Sequence, residues 1–255
     1  MPSADQSTAV AIIGAGPAGL STARWLKAKG LTPVLFEAGD DLGGQWNPVG
    51  PYTATWPGMR TNTSRVMTAF SDLNHPEGTA VYPTREQMHA YLQAYADRFD
   101  LRDAIRFGCR VEGLAREEGG WRLDWSGEQG SESARFDRVI VATGRQIKAE
   151  TPDIPGLDGF SGTLGMRHTN AYRGPADWQR ASVLVAGCSI SALEIAAELA
   201  HHAENVTVAY RRQRYVLPKQ IVGVPTDHVM TTAPAPRTSR ARHRSRIPAC
   251  GESRP

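Results

Sequence analysis

The glycines of Gly14-Ala15-Gly16-Pro17-Ala18-Gly19 have the spacing of a chain that brings its backbone against an anion. Lacking a Cβ, Gly14 can take the angles of a tight turn, Gly16 lets the main chain approach a pyrophosphate, and Gly19 lets a helix pack closely on a strand. The free amides and dipole at the helix start then hold the phosphates. The flanking residues agree with this chemistry. Residues 9–13 (AVAII) form a short apolar run, LSTARWLKAK has helical character and stops at Gly30, and residues 33–36 form a second apolar run ending in Glu37. Strand, helix and strand in this order make a β-α-β unit with a right-handed crossover and parallel strands. Glu37 lies 23 residues beyond Gly14, at the strand tip, where a carboxylate accepts hydrogen bonds from an adenosine ribose and repels a phosphate placed on it. This turn is expected to take FAD or NAD(H), with a plain glycine turn as the alternative.

A second turn, Gly187-Cys188-Ser189-Ile190-Ser191-Ala192, follows the apolar run SVLVA. It keeps the first glycine and puts small residues at the other two positions, which still allows a phosphate near the backbone. A helix over about residues 191–203 and a strand VTVAY complete another β-α-β unit. Arg211 and Arg212 lie 24 and 25 residues beyond Gly187, at the matching strand tip, where a guanidinium can pair with a 2′-phosphate. The second site is expected to prefer NADPH; an ordinary turn with a solvated arginine pair is the alternative. Cys188 has no second cysteine nearby and reads as a small core filler, and with no CxxC pair a disulfide reductase is disfavoured. Two nucleotide sites in one chain imply a hydride relay from nicotinamide to flavin.

The elements that must hold these turns can be read from the remaining sequence. The 255 residues allow one large domain or two small ones, and a composition of 40% hydrophobic and 22% charged residues is that of an ordinary globular protein. No apolar run approaches the ~20 residues that span a bilayer. The N-terminus lacks a secretory leader and there are three cysteines, Cys109, Cys188 and Cys250, so a cytoplasmic location is expected. Residues 39–66 are rich in Gly, Pro, Thr and Asn and read as a long functional loop. Thr84 and Gln87 have capping-box spacing at the start of a helix whose apolar face is Met88, Tyr91, Leu92, Tyr95 and Phe99. The runs IRFGCRV, WRLDW and RFDRVIV predict a small antiparallel meander leading into a buried strand that ends at Ala142, Thr143 and Gly144. TPDIPGLDGFSG marks a boundary. The six arginines of residues 231–255, against Glu252, give that segment +5 and leave −2 for the rest of a chain whose net charge is +3. With no aromatic residue among those arginines, nucleic-acid binding is not expected.

The predicted fold class is α/β: two Rossmann-like dinucleotide-binding units with parallel sheets, plus a small antiparallel β meander. The expected domains are residues 1–150 for FAD, a partial NADP-binding domain over 151–230, and a disordered Arg/Pro-rich tail over 231–255.

GAGPAGL, Glu37, Gly43-Gly44-Gln45-Trp46, Thr61-Asn62 through Arg65 into Phe70 and Asp72, the YPTREQMHAYLQAYADRFDL helix, VATG and GCSISALEIAAELA follow one another in order. This series resembles the flavin-containing monooxygenases, the FAD- and NADPH-dependent class that includes Baeyer–Villiger enzymes. The resemblance implies that NADPH reduces FAD, that O2 adds at carbon 4a of the reduced flavin, and that the peroxyflavin passes one oxygen atom to a small-molecule soft nucleophile or ketone. It also implies Asn62 beside the flavin as the catalytic amide, Gly44, Gln45, Trp46, Thr61, Thr143 and Gly144 around FAD, and Gly187, Ser189, Ile190, Ser191, Ala192, Arg211 and Arg212 around NADPH; an ordinary turn asparagine at Asn62 and simple core filling by Trp46 are the alternatives. The family's identifying segment is matched by Phe160, Gly162, His168 and Tyr172, with the Phe-to-His interval two residues longer than usual and Met166 at the usual His position. His168 is either a surface-loop histidine or part of the NADP-linked arrangement. An NADPH-dependent flavin reductase or oxidase would share both sites, and a truncated remnant that binds nucleotide weakly is the non-catalytic alternative. Substrate identity and oligomeric state stay open.

Overall fold

The computed structural model describes residues 9–128, 130–145 and 148–230. The predicted tail and Cys250 lie outside the described residues. By internal contacts the chain forms two compact units, one ending at Leu217 and one beginning at Pro218.

In the first unit, β1 (Ala9–Ile13), α1 (Pro17–Ala28) and β2 (Thr32–Phe36) make the expected crossover. A four-stranded parallel sheet has the order β3-β2-β1-β7, with β3 at Ile105–Arg106 and β7 at Arg138–Val141. Alternation along the strands sends Ile12 and Leu35 to one face, where they pack with Leu20 of α1 and, beyond the short α2 (Arg65–Thr68), with Tyr91, Leu92 and Tyr95 of α3 (Arg85–Arg98). Ala11 and Phe36 face the other side. There the antiparallel meander β4 (Arg110–Glu117), β5 (Gly120–Gly127) and β6 (Gly130–Phe136) covers the sheet with Leu123, Trp125 and Phe136. The rings of Phe36 and Trp125 sit 4.8 Å apart. The capping box forms as the spacing predicts: Gln87 donates its amide to the Thr84 hydroxyl, and the Thr84 amide donates to the Gln87 side chain.

Three sequence readings need correction. The run IRFGCRV is two strands, because Gly108 turns the chain at φ +63°; Ile105–Arg106 joins the parallel sheet and Arg110 opens the meander. The run RFDRVIV likewise divides: Arg135 and Phe136 end β6, whose sequence GSESARF is polar with five of its seven residues exposed, and Arg138–Val141 form β7. The strand before Ala142 is not buried: β7 is an outer strand of its sheet with Arg138 and Val141 exposed.

The second crossover is β8 (Ser182–Ala186), α4 (Ile190–Leu199) and β9 (Asn205–Ala209), with β8 and β9 paired in parallel. Its helix ends at Leu199, four residues before the predicted end. Ile195, Ala196 and Leu199 of α4 pack with Val185, Tyr172 and Trp56 in a separate core cluster. The two-stranded β10 (Gln220–Ile221) and β11 (Val224–Pro225), turning through Val222 and Gly223 at positive φ, lead into α5 (Thr226–Met230) to make the unit after Pro218. No helix among the described residues is long and apolar enough to cross a membrane.

Candidate functional site

The first turn is built as its glycines require. Gly14 sits at φ +105°, and a Cβ there would come 2.7 Å from the Ala142 carbonyl oxygen; a Cβ on Gly19 would lie 2.0 Å from the Gly14 carbonyl oxygen. Gly14 donates its amide to Phe36 at 2.8 Å, and Ala142 donates to Ile13 at 2.9 Å, so the tips of β1, β2 and β7 converge on one point. Pro17 occupies the start of α1, Gly16 caps it without a side chain, and the first turn holds no acidic residue to repel an anion. Ala15 is buried and Ala18 exposed.

Glu37 stands at the tip of β2, 7% exposed. Its carboxylate accepts the Ala15 amide at 2.8 Å and the Gly39 amide at 3.0 Å. The carboxylate therefore shapes the turn, and each oxygen keeps a lone pair beyond the one it spends. This shaping role was not legible from spacing.

A second loop closes on the first turn. Gly43, at φ +117°, donates its amide to the Ala15 carbonyl at 3.0 Å, and a Cβ on Gly44 would lie 3.0 Å from the Gly16 Cα. The two glycine segments approach closely main chain to main chain, and a side chain on Gly44 would push them apart. Gln45 contributes its carbonyl to the hydroxyls of Thr53 at 3.3 Å and Thr55 at 3.2 Å. The Trp46 ring is half-buried against the core. Thr61 is buried, its amide on Pro83 at 2.9 Å and its hydroxyl on Thr63 at 2.7 Å. Asn62 is exposed, and Thr143 and Gly144 are exposed at the end of β7. The structure thus brings Gly14, Gly16, Gly19, Glu37, Gly44 and Ala142 together. No hydrogen bond among the described residues joins Asn62 to this cluster.

The second turn repeats the first. Gly187, at φ +132°, donates its amide to Ala209 at 2.8 Å, the counterpart of Gly14 and Phe36. Ala192 stands where the first turn has Gly19 and is buried with its Cβ accommodated, so this crossover packs its helix with alanine at that position. A cleft of about 760 Å³ is lined by Gly187, Ser189, Ser191 and Ala192 on the turn and by Arg211 and Arg212 beyond β9. Ile190 is exposed and is not among its lining residues, whereas Cys188 is. Thr169, Tyr210 and Arg214 also line it and were missed; a third basic residue three positions after Arg211 was the available signal.

His168 is exposed and caps the short turn Thr169–Ala171, its Nδ1 accepting the Asn170 amide at 3.0 Å. Phe160 and Met166 are exposed. Tyr172 is buried, donates its hydroxyl to Glu198 at 2.8 Å and meets the Trp56 ring edge-on at 5.5 Å. Burial, and then the hydrogen bond to Glu198, push its phenol well above the usual range. Cys109 and Cys188 are free thiols, and no cluster among the described residues has the makings of a metal site.

One chain thus holds two glycine-led crossovers, one closed by an acid and one by arginines. The family model for flavin-binding monooxygenase-like proteins matches residues 7–238, and the chain belongs to that family. Among its relatives, indole-3-pyruvate monooxygenase YUCCA6 of Arabidopsis thaliana is 30% identical over 221 residues, covering 86% of this chain and 51% of the relative. Flavin-containing monooxygenase 1 of Homo sapiens is 32% identical over 235 residues, covering 88% and 44%. Of solved structures, the S-allyl-L-cysteine S-oxygenase of Allium sativum superposes with a TM-score of 0.74 at 29% identity, over 85% of this chain and 54% of that one. The NADP+-bound cyclohexanone monooxygenase of Rhodococcus sp. Phi1 gives 0.64 at 30% identity, over 83% and 40%. The chain spans about half the length of the relatives it matches.

Proposed function

We propose that this chain binds FAD at the first turn and NADPH at the second, and serves the transfer of one oxygen atom from O2 to a small soft nucleophile or ketone. The observation that carries the reading is the contrast between the two strand tips. Glu37 is buried at the first, where a carboxylate favours an unphosphorylated ribose; Arg211 and Arg212 line the cleft of the second, where guanidinium groups favour a 2′-phosphate.

The residues present fit both groups. At Gly16 and Gly44 each main chain occupies the space the other's Cβ would need, which holds the second loop beside the α1 start, where free amides and the helix dipole are offered to a pyrophosphate. When bound, NADPH supplies a hydride to FAD, and the reduced flavin lets O2 be divided between the substrate and water. The protein's part is to bind, orient and exclude. Glu37 orients the adenosine end, Gly43 and Gly44 hold the loop on the turn, and Ser189 and Ser191 offer hydroxyls beside the second phosphate position. Asn62 supplies an amide on the exposed face of its loop. We assign residues 1–150 to FAD and 151–230 to NADPH, since the first cluster of glycines and the arginine-lined cleft fall on either side of that division. The small number of cysteines fits a reducing cytoplasm.

The test is the spectrum of the purified 255-residue chain mixed with FAD, before and after anaerobic NADPH. Flavin absorbance that is retained on gel filtration and bleached by NADPH, far faster than by NADH, is expected. A colourless chain that takes up no FAD overturns the reading. If every NADPH consumed in air with thioether, amine or ketone present reappears as H2O2, the chain is a reductase or oxidase instead.

A further inference from the structure

A histidine on α3, outside both glycine turns, holds the second loop in place. The His89 Nε2 faces two acceptors, the Leu42 carbonyl oxygen at 3.0 Å and Asp41 Oδ2, and one donor, the Gln93 amide nitrogen at 3.1 Å; the two acceptors favour the tautomer with its proton on Nε2, which donates to the Leu42 carbonyl. The same nitrogen is 3.4 Å from Asp41 Oδ2. Gln93, one turn further along α3, sends its amide to Asp41 Oδ2 at 2.7 Å and accepts Arg102 at 2.6 Å on its own oxygen, so the side chains flanking the ring are themselves fixed. The ring also fills the space that a side chain on Gly43 would need: a Cβ there would lie 2.7 Å from His89 Cδ2. Leu42 is fully buried in the core, Gly43 donates to Ala15, and Gly44 rests on Gly16. The contacts form one unbroken path from α3 through residues 42–44 to the first turn.

We propose that His89 is a positioning residue for the flavin site: it pins the Leu42–Gly43 peptide to α3 and so presses Gly44 onto the phosphate-binding turn. The proposal rests on the reading of the first turn as an FAD site. His89 touches no part of that turn itself and acts through Leu42 and Gly43. A helix interior does not require histidine at this position, and an aliphatic residue of similar volume would pack there without donating.

The test compares the wild-type chain with His89→Leu and His89→Gln; glutamine places a donor where the Nε2 of the ring stood. Two quantities are read, amide hydrogen exchange at Gly43 without ligand and the FAD dissociation constant, with thermal unfolding alongside. In His89→Leu, Gly43 exchange should quicken and FAD should bind more weakly, each by about tenfold, the change expected for one net hydrogen bond. His89→Gln should recover most of both. Unchanged Gly43 exchange in His89→Leu overturns the positioning role. Faster exchange with unchanged FAD affinity overturns its link to the site, and losses in both variants that track a fall in melting temperature make the role one of general stability and overturn it too. A wild-type chain that takes up no FAD overturns the flavin reading and with it the ligand half of this proposal, while the Gly43 exchange rates still decide the other half.

Discussion

Glu37 accepts the amide of Ala15 at 2.8 Å, across 22 residues of chain, from within a site where it is 7% exposed. A carboxylate so placed fixes the shape of the turn before any ribose arrives. Glu37→Gln keeps the volume but turns an NH2 group toward the Ala15 or the Gly39 amide, leaving one buried donor facing another. We expect a loss of stability of ~1–3 kcal/mol together with weakened FAD binding. Urea unfolding and flavin titration of the variant check it; unchanged stability would remove the carboxylate from the turn's architecture.

Substituting Arg211 and Arg212 together by alanine should cost NADPH about tenfold or more in affinity while leaving NADH binding nearly level, because only the former carries the 2′-phosphate that the guanidinium groups pair with. Titration with both nucleotides reads the ratio. Equal losses for the two would make these arginines general surface charge.

The glycines make a paired prediction. Gly19→Ala drives a Cβ to 2.0 Å from the Gly14 carbonyl oxygen, so α1 must move off the sheet; a cost of ~3 kcal/mol or more is expected, enough to unfold much of a marginal chain. At Gly30, φ is +76° and no atom lies within 4 Å of the missing Cβ, so alanine there bears only the backbone strain of ~1 kcal/mol. Chemical denaturation of both variants checks the order, and a reversal would contradict the packing described at the turn.

Acid should weaken the first unit through His75. Its ring stacks on Tyr91 at 4.0 Å and lies 3.2 Å from the Thr68 hydroxyl; burial, and then the charge of Arg65, hold its pKa below the ordinary value. The folded chain thus resists a proton that the unfolded chain accepts. The contribution of the neutral ring is present above ~6.5 and is lost as the pH falls through the lower folded value. His75→Phe keeps the stacking and should flatten this part of the profile, measured as urea midpoints at neutral and mildly acidic pH. A variant with the wild-type acid slope would point to other groups.

Features carried by neighbouring residues were legible in the sequence. The Thr84–Gln87 capping box is a reciprocal contact over one helical turn, and both glycine turns announce themselves between apolar runs. Features made by distant residues or by polar strands were not. GSESARF gives no apolar alternation because β6 pairs only with β5 and leaves most of one strand to solvent. Gly108 reads as an ordinary strand glycine until its φ of +63° shows the chain changing sheets. The bonds from Glu37 to two backbone amides and from His89 to Leu42 join residues that no local pattern relates.

Trp56, from the irregular segment between β2 and α3, is buried with Tyr172, Val185 and Ile195 in the core beneath the second crossover. That crossover therefore borrows an indole from the first half of the chain. A fragment started at residue 151 would expose an aromatic-sized hollow beside α4, so the later crossover is expected to lose stability without the earlier stretch of polypeptide that plugs it.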